Sequence, residues 1–501
     1  MVVEQAGLIE LLQAEVVFLQ RQLGRDSSNS SKPPSSDGPG AEARAKAETR
    51  AGGEAGDEPE GNRAARRERG KRKQGGQKGH RGAGLERVAV PDHRQEVEPP
   101  ECGGCGGALV GAPGQVASQV QVFDIPEIAV KVTEYLMMTR TCGCGHSTTA
   151  PLPAGVPGGP VCYGPNVVAA AVFLASSDVM GLERAAEFLS ALLGVRVSTG
   201  FISSCLVRLD KALIAAGFEE SLKAALRAAD VLGTDETPTT LSTTADKPPE
   251  GEPVEEVTNP HVYTVRTMRA LTCGGPDLTW YGAAGDRTKP RITKFGILDG
   301  FHGILVRDDF GGYLSYDEKL AGVQQCISHL LRYLKDSETI DPVAQIWANA
   351  TAKTLSEAIT AVRTAREKGR TSLDPDLLDT LRHRYDQAVA VGISTNLSRP
   401  WRDKKRHPGL VLARRLKKKA DQVWLFTTRF DVPPTNNGSE QAIRGYSIAE
   451  KISGCWRTLS TLRRQCRIRS YLTSARSHAV KPLDAIRAAL TNTCWMPPTP
   501  A

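Results

Sequence analysis

The stretch Val231-Leu232-Gly233-Thr234-Asp235-Glu236-Thr237-Pro238 reads as a short buried strand running into two adjacent carboxylates. Two more strand-like segments follow, His261 to Ala270 and Leu278 to Ala284, and an acidic loop from Asp246 to Glu256 separates them from the first. A helix-compatible stretch from Thr288 to Leu298 comes next, then Gly303-Ile304-Leu305-Val306 leading into Arg307-Asp308-Asp309-Phe310. Three strands, a helix and a fourth strand, with acids ending the first and the fourth, predict an α/β layer whose carboxylates converge at one place. Beyond it, from about Ala321 to Phe426, the pattern is mostly helical. The turn Pro433-Pro434-Thr435-Asn436-Asn437-Gly438 then starts a helix carrying Glu440 and, one turn on, Arg444 on the same face.

Carboxylates gathered around one cleft repel each other, which raises a pKa. Mg²⁺ removes the conflict, because it takes hard oxygen ligands, usually one or two carboxylates with substrate phosphate and water. A pair of such ions can stabilise both the attacking and the leaving oxygen of an in-line phosphoryl displacement, and Mn²⁺ would serve similarly. Taken singly, each acid also fits a cap, a turn or a favourable place in the first turn of a helix. Together, in this strand order and among basic tracts, they point to catalysis.

Outward from this region the chain changes character several times. Ile9, Leu12, Val16, Leu19 and Leu23 recur at helical spacing, predicting an amphipathic helix over 1–25 that forms a short coiled coil or packs on its own protein. Residues 26–62 are rich in Ser, Pro, Gly, Ala and Glu and read as a disordered linker. Residues 61–87 hold ten Lys and Arg against Glu68 and Glu86, a composition suited to an arm along phosphates. Within it Arg66, Arg67, Arg69, Lys71, Arg72 and Lys73 are the densest candidate DNA contacts. The alternative is a solvated tail.

Cys102-Gly103-Gly104-Cys105 and Cys142-Gly143-Cys144 bracket two strand-like segments, Val116 to Ile125 and Val130 to Arg140. Two thiolate pairs on Gly-rich turns at the ends of a β hairpin suit one tetrahedral structural Zn²⁺, with His146 as a substitute ligand. Surface thiols on tight turns are the alternative. From Gly164 to about Leu213 the pattern is helical: one helix near Val167 to Ala175, a second from Leu182 to Leu193 closed by Gly194, and a third from Thr199 with Ser198 as its N-cap. Such a series writes either a helix-turn-helix reader or a packed three-helix bundle, and the lack of basic residues on Thr199 to Val207 favours packing.

The 501 residues carry 64 Lys and Arg against 56 Asp and Glu, a net charge of +8. That modest figure averages a polarised chain. Residues 399–419 alone hold ten Lys and Arg against Asp403, including Lys404, Lys405, Arg406, Arg414, Arg415 and Lys417, and residues 440–476 hold eight against Glu440 and Glu450. With the arm at 61–87 these tracts exceed the net charge of the whole, so the remainder is acidic, and DNA affinity should fall steeply with salt. No apolar run approaches the ~20 residues of a membrane span, and the start lacks the pattern of a secretory signal. Eleven Cys, of which four show paired spacing, argue for a reducing cytosol rather than a disulfide scaffold.

Several strings together resemble a known family. Asn29-Ser-Ser-Lys-Pro-Pro-Ser-Ser-Asp37, Gly75-Gly-Gln-Lys-Gly-His80, the Cys pairs, the strand end Asp235-Glu236-Thr237, the run Asp308-Asp309-Phe310-Gly311-Gly312-Tyr313, the trio Cys326, His329 and Arg332, and Asn436, Asn437, Glu440 and Arg444 occur in the order used by the DDE transposases of the insertion sequence 66 group. The resemblance spans nearly the whole chain. It implies a ribonuclease-H-like catalytic core, α/β with a helical insertion before the last acid, in which Asp235, Asp308 and Glu440 form the triad and hold two Mg²⁺ or Mn²⁺. Asp308 is preferred to Asp309 because the family's Asp lies five residues before the Tyr, here Tyr313. The resemblance further implies cleavage of the strand at a transposon end and attack of the freed 3′-hydroxyl on target DNA. His329 and Arg332 are candidates for orienting the scissile phosphate, or plain helix-surface residues. Gln441 departs from the Arg the family often carries, and the acidic loop 246–256 reads as an insertion.

The expected layout is therefore a short coiled coil (1–25), a linker (26–62), a basic arm (63–90), a small zinc-binding hairpin domain (91–155), a helical domain resembling a DNA-binding one (160–225), and a catalytic domain (226–490) with its helical insertion at about 336–430. The expected partners are double-stranded element ends and target DNA, a second copy of the chain on that DNA, and accessory proteins of the same element, in a bacterial cytoplasm and with no membrane. Two other readings compete: a zinc-stabilised DNA-binding regulator with an inactive core, and a nuclease of the same fold.

Overall fold

The computed structural model describes residues 86–501 except 127, 154–155, 157, 178–179, 244–254, 269–276, 400, 402–405 and 499–501. The expected coiled coil, linker and most of the basic arm lie outside the described residues, as does most of the acidic loop. Two compact units are present, one reaching to Val132 and one running from Thr133 to the end of the chain, and each is described by itself.

In the first unit, the side-chain amide of Gln121 makes paired 2.9 Å hydrogen bonds with the backbone N–H and C=O of Val88. Its residues 116–125 belong to no strand, although their sequence reads as one. They alternate polar and apolar, but Val116, Val120 and Val122 are all exposed, so no buried face supports a ladder. The second unit opens with a three-residue hairpin, β1 (Thr139–Thr141) and β2 (Ser147–Thr149), closed over the second Cys pair. Hydroxyl pairs Thr139 with Thr149 and Thr141 with Ser147, each at 2.8 Å, tie its rungs.

Four helices follow: α1 (Pro165–Ala175), α2 (Leu182–Leu193), α3 (Thr199–Ala215) and α4 (Phe218–Arg227). Their ends follow the local signals. Pro165 opens α1, Gly194 ends α2 in the left-handed conformation at φ 65°, and the Ser198 side chain accepts the Phe201 N–H at 3.1 Å. Ile202, Cys205, Leu209 and Leu213 of α3 are completely buried, so this helix is spent on packing. Burying one such Leu stabilises by about 1.5–3 kcal/mol.

The central sheet has five strands in the order β5-β4-β3-β6-β7: β3 (Val231–Pro238), β4 (His261–Thr267), β5 (Thr279–Ala284), β6 (Ile304–Arg307) and β7 (Gly322–Gln325). β3, β4 and β5 run antiparallel, whereas β3, β6 and β7 are parallel. Side chains alternate between the two faces. Leu232, Tyr263, Val265, Trp280 and Leu305 join the core under α3 and α4, while Val231, Ile304 and Val306 pack with Met268 and Val432 on the opposite face. β7 was not expected, since Gly-Val-Gln-Gln carries little apolar signal and sits at the edge of the segment predicted helical. Its buried glutamines are satisfied by tertiary partners: Gln324 Oε1 accepts the Phe426 N–H at 2.8 Å, and Gln325 Nε2 donates to Gln422 at 2.9 Å.

Between the strands lies one short helix, α5 (Lys289–Lys294), where a longer helical stretch was expected. After β7 the helices are α6 (Ile327–Ile340), α7 (Ile346–Glu367), α8 (Pro375–Asn396), α9 (Pro408–Lys418) and α10 (Ala420–Thr428). They enclose a core of their own around Leu334, Trp347, Leu355, Tyr385, Trp424 and Phe426. A Cβ on Gly392 would fall 2.4 Å from the Trp347 ring, so glycine there lets α7 and α8 close.

The chain returns to the sheet with α11 (Asn437–Ser453), α12 (Leu459–Ser477) and α13 (Pro482–Leu490). Ser470 and Ser474, one turn apart on α12, accept the Tyr281 and Thr279 N–H groups at 2.8 and 3.0 Å, and Ser477 accepts that of Asp277 at 2.6 Å. Two hydroxyls on one helix face thereby cover donors of edge strand β5, which would otherwise be open to pairing, and a third covers one just ahead of it. Among the described residues no helix is long and apolar enough to cross a membrane.

Candidate active site

β3 and β6 are parallel neighbours with Gly233 level with Val306. Extending that register by two residues sets Asp235 beside Asp308, which follows directly on β6. Both acids therefore lie toward the carboxyl ends of adjacent parallel strands, where open α/β sheets form their clefts.

Glu440 reaches the same place because the N-terminus of α11 is stitched to β3. Asn436, the N-cap residue, donates from Nδ2 to the Thr234 carbonyl at 2.7 Å, and Arg266 on β4 donates to the Gly438 carbonyl at 2.8 Å. The approach is close enough to require glycine at position 233. A Cβ there would lie 2.6 Å from Met268 Cγ and Ser439 Oγ, and 2.8 Å from Asn436 Oδ1.

The electrostatics record the convergence. Burial, followed by the charges of Glu236, Glu440 and Asp308, pushes the Asp235 carboxyl up to about 8. Three further acids are thus close enough to oppose its ionisation. Glu236 is also raised, by burial and by Asp308, yet it is fully engaged: Arg287 and the Tyr313 hydroxyl both donate to its carboxylate. Arg287 in turn lies 3.5 Å from the Phe310 ring centroid. Among the described residues no Lys or Arg charge lowers the Asp235 carboxyl in this way.

The two adjacent aspartates separate clearly. Asp308 Oδ1 accepts the Phe310 N–H at 3.0 Å, a single turn-type bond that leaves the carboxylate otherwise available. Asp309 is neutralised by Lys419 and by Arg415, the latter at 3.3 Å. The peptide ahead of them is anchored by Arg307, which is completely buried. Its guanidinium grips Asp317 through two bonds of 2.7 and 2.8 Å and donates to the Asp308 carbonyl at 2.7 Å.

His329 lies on α6 with Nδ1 3.4 Å from Glu440 Oε1, so it faces the third acid, whereas Arg332 on the same helix is exposed. Cys326 is buried, and its Sγ lies 3.9 Å from the same Glu440 oxygen. Of the candidate DNA contacts, Arg406, Arg414, Lys417 and Arg444 are exposed. Arg415 is instead committed to Asp309 and stacks 4.8 Å from the Tyr333 ring. Arg66, Arg67, Arg69, Lys71, Arg72, Lys73, Lys404 and Lys405 lie outside the described residues.

Each Cys pair forms its own turn. Cys102 N–H donates to the Gly107 carbonyl at 2.9 Å, and Cys142 N–H to that of His146 at 2.8 Å. Hydrogen bonds to the sulfur, from Cys105 and Gly104 in one turn and from Cys144 in the other, lower the Cys102 and Cys142 thiols below the usual value.

Sequence reasoning missed Arg287, Arg307, Tyr313 as a partner of Glu236, Asn436 as an anchor, and Cys326 beside Glu440. Tyr313, Asn436 and Cys326 stand in the quoted strings without these roles, Arg307 shows as a charge closing an otherwise apolar strand, and Arg287 carries no signal.

A pH dependence follows. The Asp235 carboxyl is raised in the folded chain from its ordinary 3.8 to about 8, so between these values the native state holds a proton that the unfolded state has lost. The cation-free protein should therefore lose stability as pH rises through that window. Asp235→Asn should flatten the slope, as read by thermal melts in chelator; an unchanged slope would place the titration elsewhere.

Fold and site together define a mixed α/β protein whose acidic side chains meet at the carboxyl ends of two adjacent parallel strands, with a third supplied by a helix beyond a helical insertion. Residues 160–464 match the profile of the transposase IS66 family, and the chain belongs to that family. Residues 4–66 match a separate family of unknown function, DUF6444. No curated protein matches the chain.

Proposed function

We propose that the protein cleaves DNA at the ends of its mobile element and joins the freed 3′-hydroxyl to target DNA, with Asp235, Asp308 and Glu440 as the catalytic acids of a ribonuclease-H-like core. The sheet order β5-β4-β3-β6-β7, antiparallel on one side and parallel on the other, supports that core. The observation that carries the reading is the geometry that brings Asp235, Asp308 and Glu440 together, the β3–β6 register and the anchoring of α11 on β3, with the Asp235 carboxyl raised by burial and by the neighbouring acids.

That donor set fits a hard divalent ion, since only oxygen ligands and uncompensated negative charge are offered. Asp235, Asp308 and Glu440 would hold Mg²⁺ or Mn²⁺. When bound, the cation neutralises the acids and stabilises charge on the phosphoryl group being transferred. The chain's own residues do the positioning. Asn436 and Gly233 set the α11 terminus against β3, Arg307 fixes the Asp308 peptide, and Arg287 with Tyr313 holds Glu236 out of the competition. Exposed Arg406, Arg414, Lys417 and Arg444 supply phosphate contacts, together with the basic arm.

The test is incubation of the purified chain with DNA carrying its element ends and Mg²⁺ or Mn²⁺. Nicked ends followed by insertion products are expected. Binding without cleavage under any divalent ion would favour the regulatory alternative, and cleavage without joining a nuclease.

We also propose that the thiols of the two Cys turns, Cys102 with Cys105 and Cys142 with Cys144, are structural Zn²⁺ ligands. The lowered Cys102 and Cys142 thiols support it, because the thiolate is the ligand form. Metal analysis should lose about one zinc per chain in the variant carrying Cys102→Ser and Cys105→Ser. Full retention of metal and fold would exclude the site.

A further inference from the structure

We propose that Cys326, His329 and Glu440 bind a soft divalent cation of the zinc class, and that its binding withdraws Glu440 from the carboxylate site and stops catalysis. The inhibitory half rests on the catalytic role proposed for Glu440. The binding half rests on geometry alone.

One ligand atom from each of the three residues lies within 4.8 Å of the others. Zinc bonds of about 2.3 Å to sulfur and 2.0–2.1 Å to nitrogen and oxygen give tetrahedral edges of roughly 3.3 Å for N to O and 3.6 Å for S to O. The corresponding separations are 3.4 Å for His329 Nδ1 to Glu440 Oε1 and 3.9 Å for Cys326 Sγ to the same oxygen. Shifts of a few tenths of an ångström complete the face of a tetrahedron.

A second observation points the same way. His329 Nδ1 is buried and makes no hydrogen bond, although it directs its lone pair or proton toward a carboxylate. An unsatisfied buried nitrogen is unfavourable, and ligation would relieve it. Asn436 N–H donates to Cys326 Sγ at 3.2 Å, the type of bond that supports a metal thiolate. Cation binding displaces the thiol proton to solvent, leaving thiolate, imidazole and carboxylate around a single charge of +2.

The donor set separates this site from the one beside it. Sulfur and nitrogen disfavour Mg²⁺ and favour zinc-class ions, whereas Asp235 and Asp308 offer only oxygen. Glu440 belongs to both. Its Oε1 faces the thiol and imidazole while its charge bears on Asp235, so a zinc-class ion held there draws that charge away from the carboxylate site and the two cations compete.

The deciding experiment titrates metal-free, reduced full-length chain with Co²⁺ as a spectroscopic stand-in. The wild-type chain should bind one equivalent more than Cys326→Ser, and the difference spectrum should show a thiolate-to-cobalt charge-transfer band. Taking the difference removes the contribution of the other cysteines. His329→Ala should lose the same equivalent, and both variants should melt as the wild type does. Equal stoichiometry with no band in the difference spectrum would overturn the site.

For inhibition, micromolar Zn²⁺ added to end-cleavage reactions in millimolar Mg²⁺ should stop the wild type. Cys326→Ser should require at least ~10-fold more zinc. Equal sensitivity would overturn the withdrawal of Glu440. A chain that shows the cobalt band yet cleaves no DNA would leave the site standing and count against the transposase reading.

Discussion

Asp235→Asn, Asp308→Asn and Glu440→Gln are each expected to lower strand cleavage by about 10³-fold or more while DNA affinity stays within a few fold. Each substitution keeps shape and removes one carboxylate ligand from a cluster in which Glu440 and Asp308 oppose ionisation of Asp235. On the proposed mechanism the size of the effect comes from losing a cation ligand at the reacting phosphate, an interaction made most strongly in the transition state. Asp309→Asn is the control that gives the set its meaning. Its carboxylate is occupied by Lys419 and Arg415, all three partly buried, so the substitution should leave two cations unpaired and cost about 1–3 kcal/mol of stability. Cleavage by Asp309→Asn should remain within about tenfold of wild type, the level of a displaced neighbour rather than a lost ligand. The reverse pattern, with Asp308→Asn active and Asp309→Asn inactive, would move the second acid by one residue. End cleavage and binding measured in parallel distinguish the outcomes.

Arg307→Met should be the most destabilising single change near the site. Arg307 is completely buried and its two bonds to Asp317 are charge-assisted, while Asp317 is itself only partly exposed. Breaking a buried pair by removing one partner costs about 3–5 kcal/mol, because the other charge is left uncompensated. Asp317 retains some solvent and a 3.3 Å bond from Gln422, which argues for the lower end, about 3 kcal/mol. A fall of roughly 6–12 °C in Tm corresponds to that figure for a domain of ordinary size. Activity should fall as well, since the same guanidinium holds the Asp308 carbonyl. Adding Asp317→Asn to Arg307→Met should restore most of the stability without restoring cleavage. A single variant that melts within a degree or two of wild type would show that the pair contributes nothing net.

Part of this architecture was legible without coordinates. The strand starting at Val231, the strand starting at Ile304 and the helix carrying Glu440 announce themselves through apolar runs and turn residues, and their bounds agree with the structure to within a few residues. The helices α2 and α3 were equally readable, because Gly194 and Ser198 are local stop and start signals whose physics needs no tertiary partner. β7 was not readable. A four-residue strand with two buried glutamines is stable only because α10 satisfies their amides, and no window of sequence contains that partner.

Sequence alone determined which residue types could do the chemistry: three acids in a fixed strand order, two thiol pairs on glycine turns, and basic tracts around the third acid. Local propensity and hydrophobic period act within a few residues, so they can name the carriers but not their states. The tertiary structure decided which aspartate remains available, since Asp309 is neutralised by helices about a hundred residues further along the chain. It decided that Asp235 resists ionisation, which follows from burial and three charges drawn from β3, β6 and α11. It also turned Cys326 and His329 toward Glu440, a meeting set by the stitching of α11 to β3 and invisible to any spacing rule.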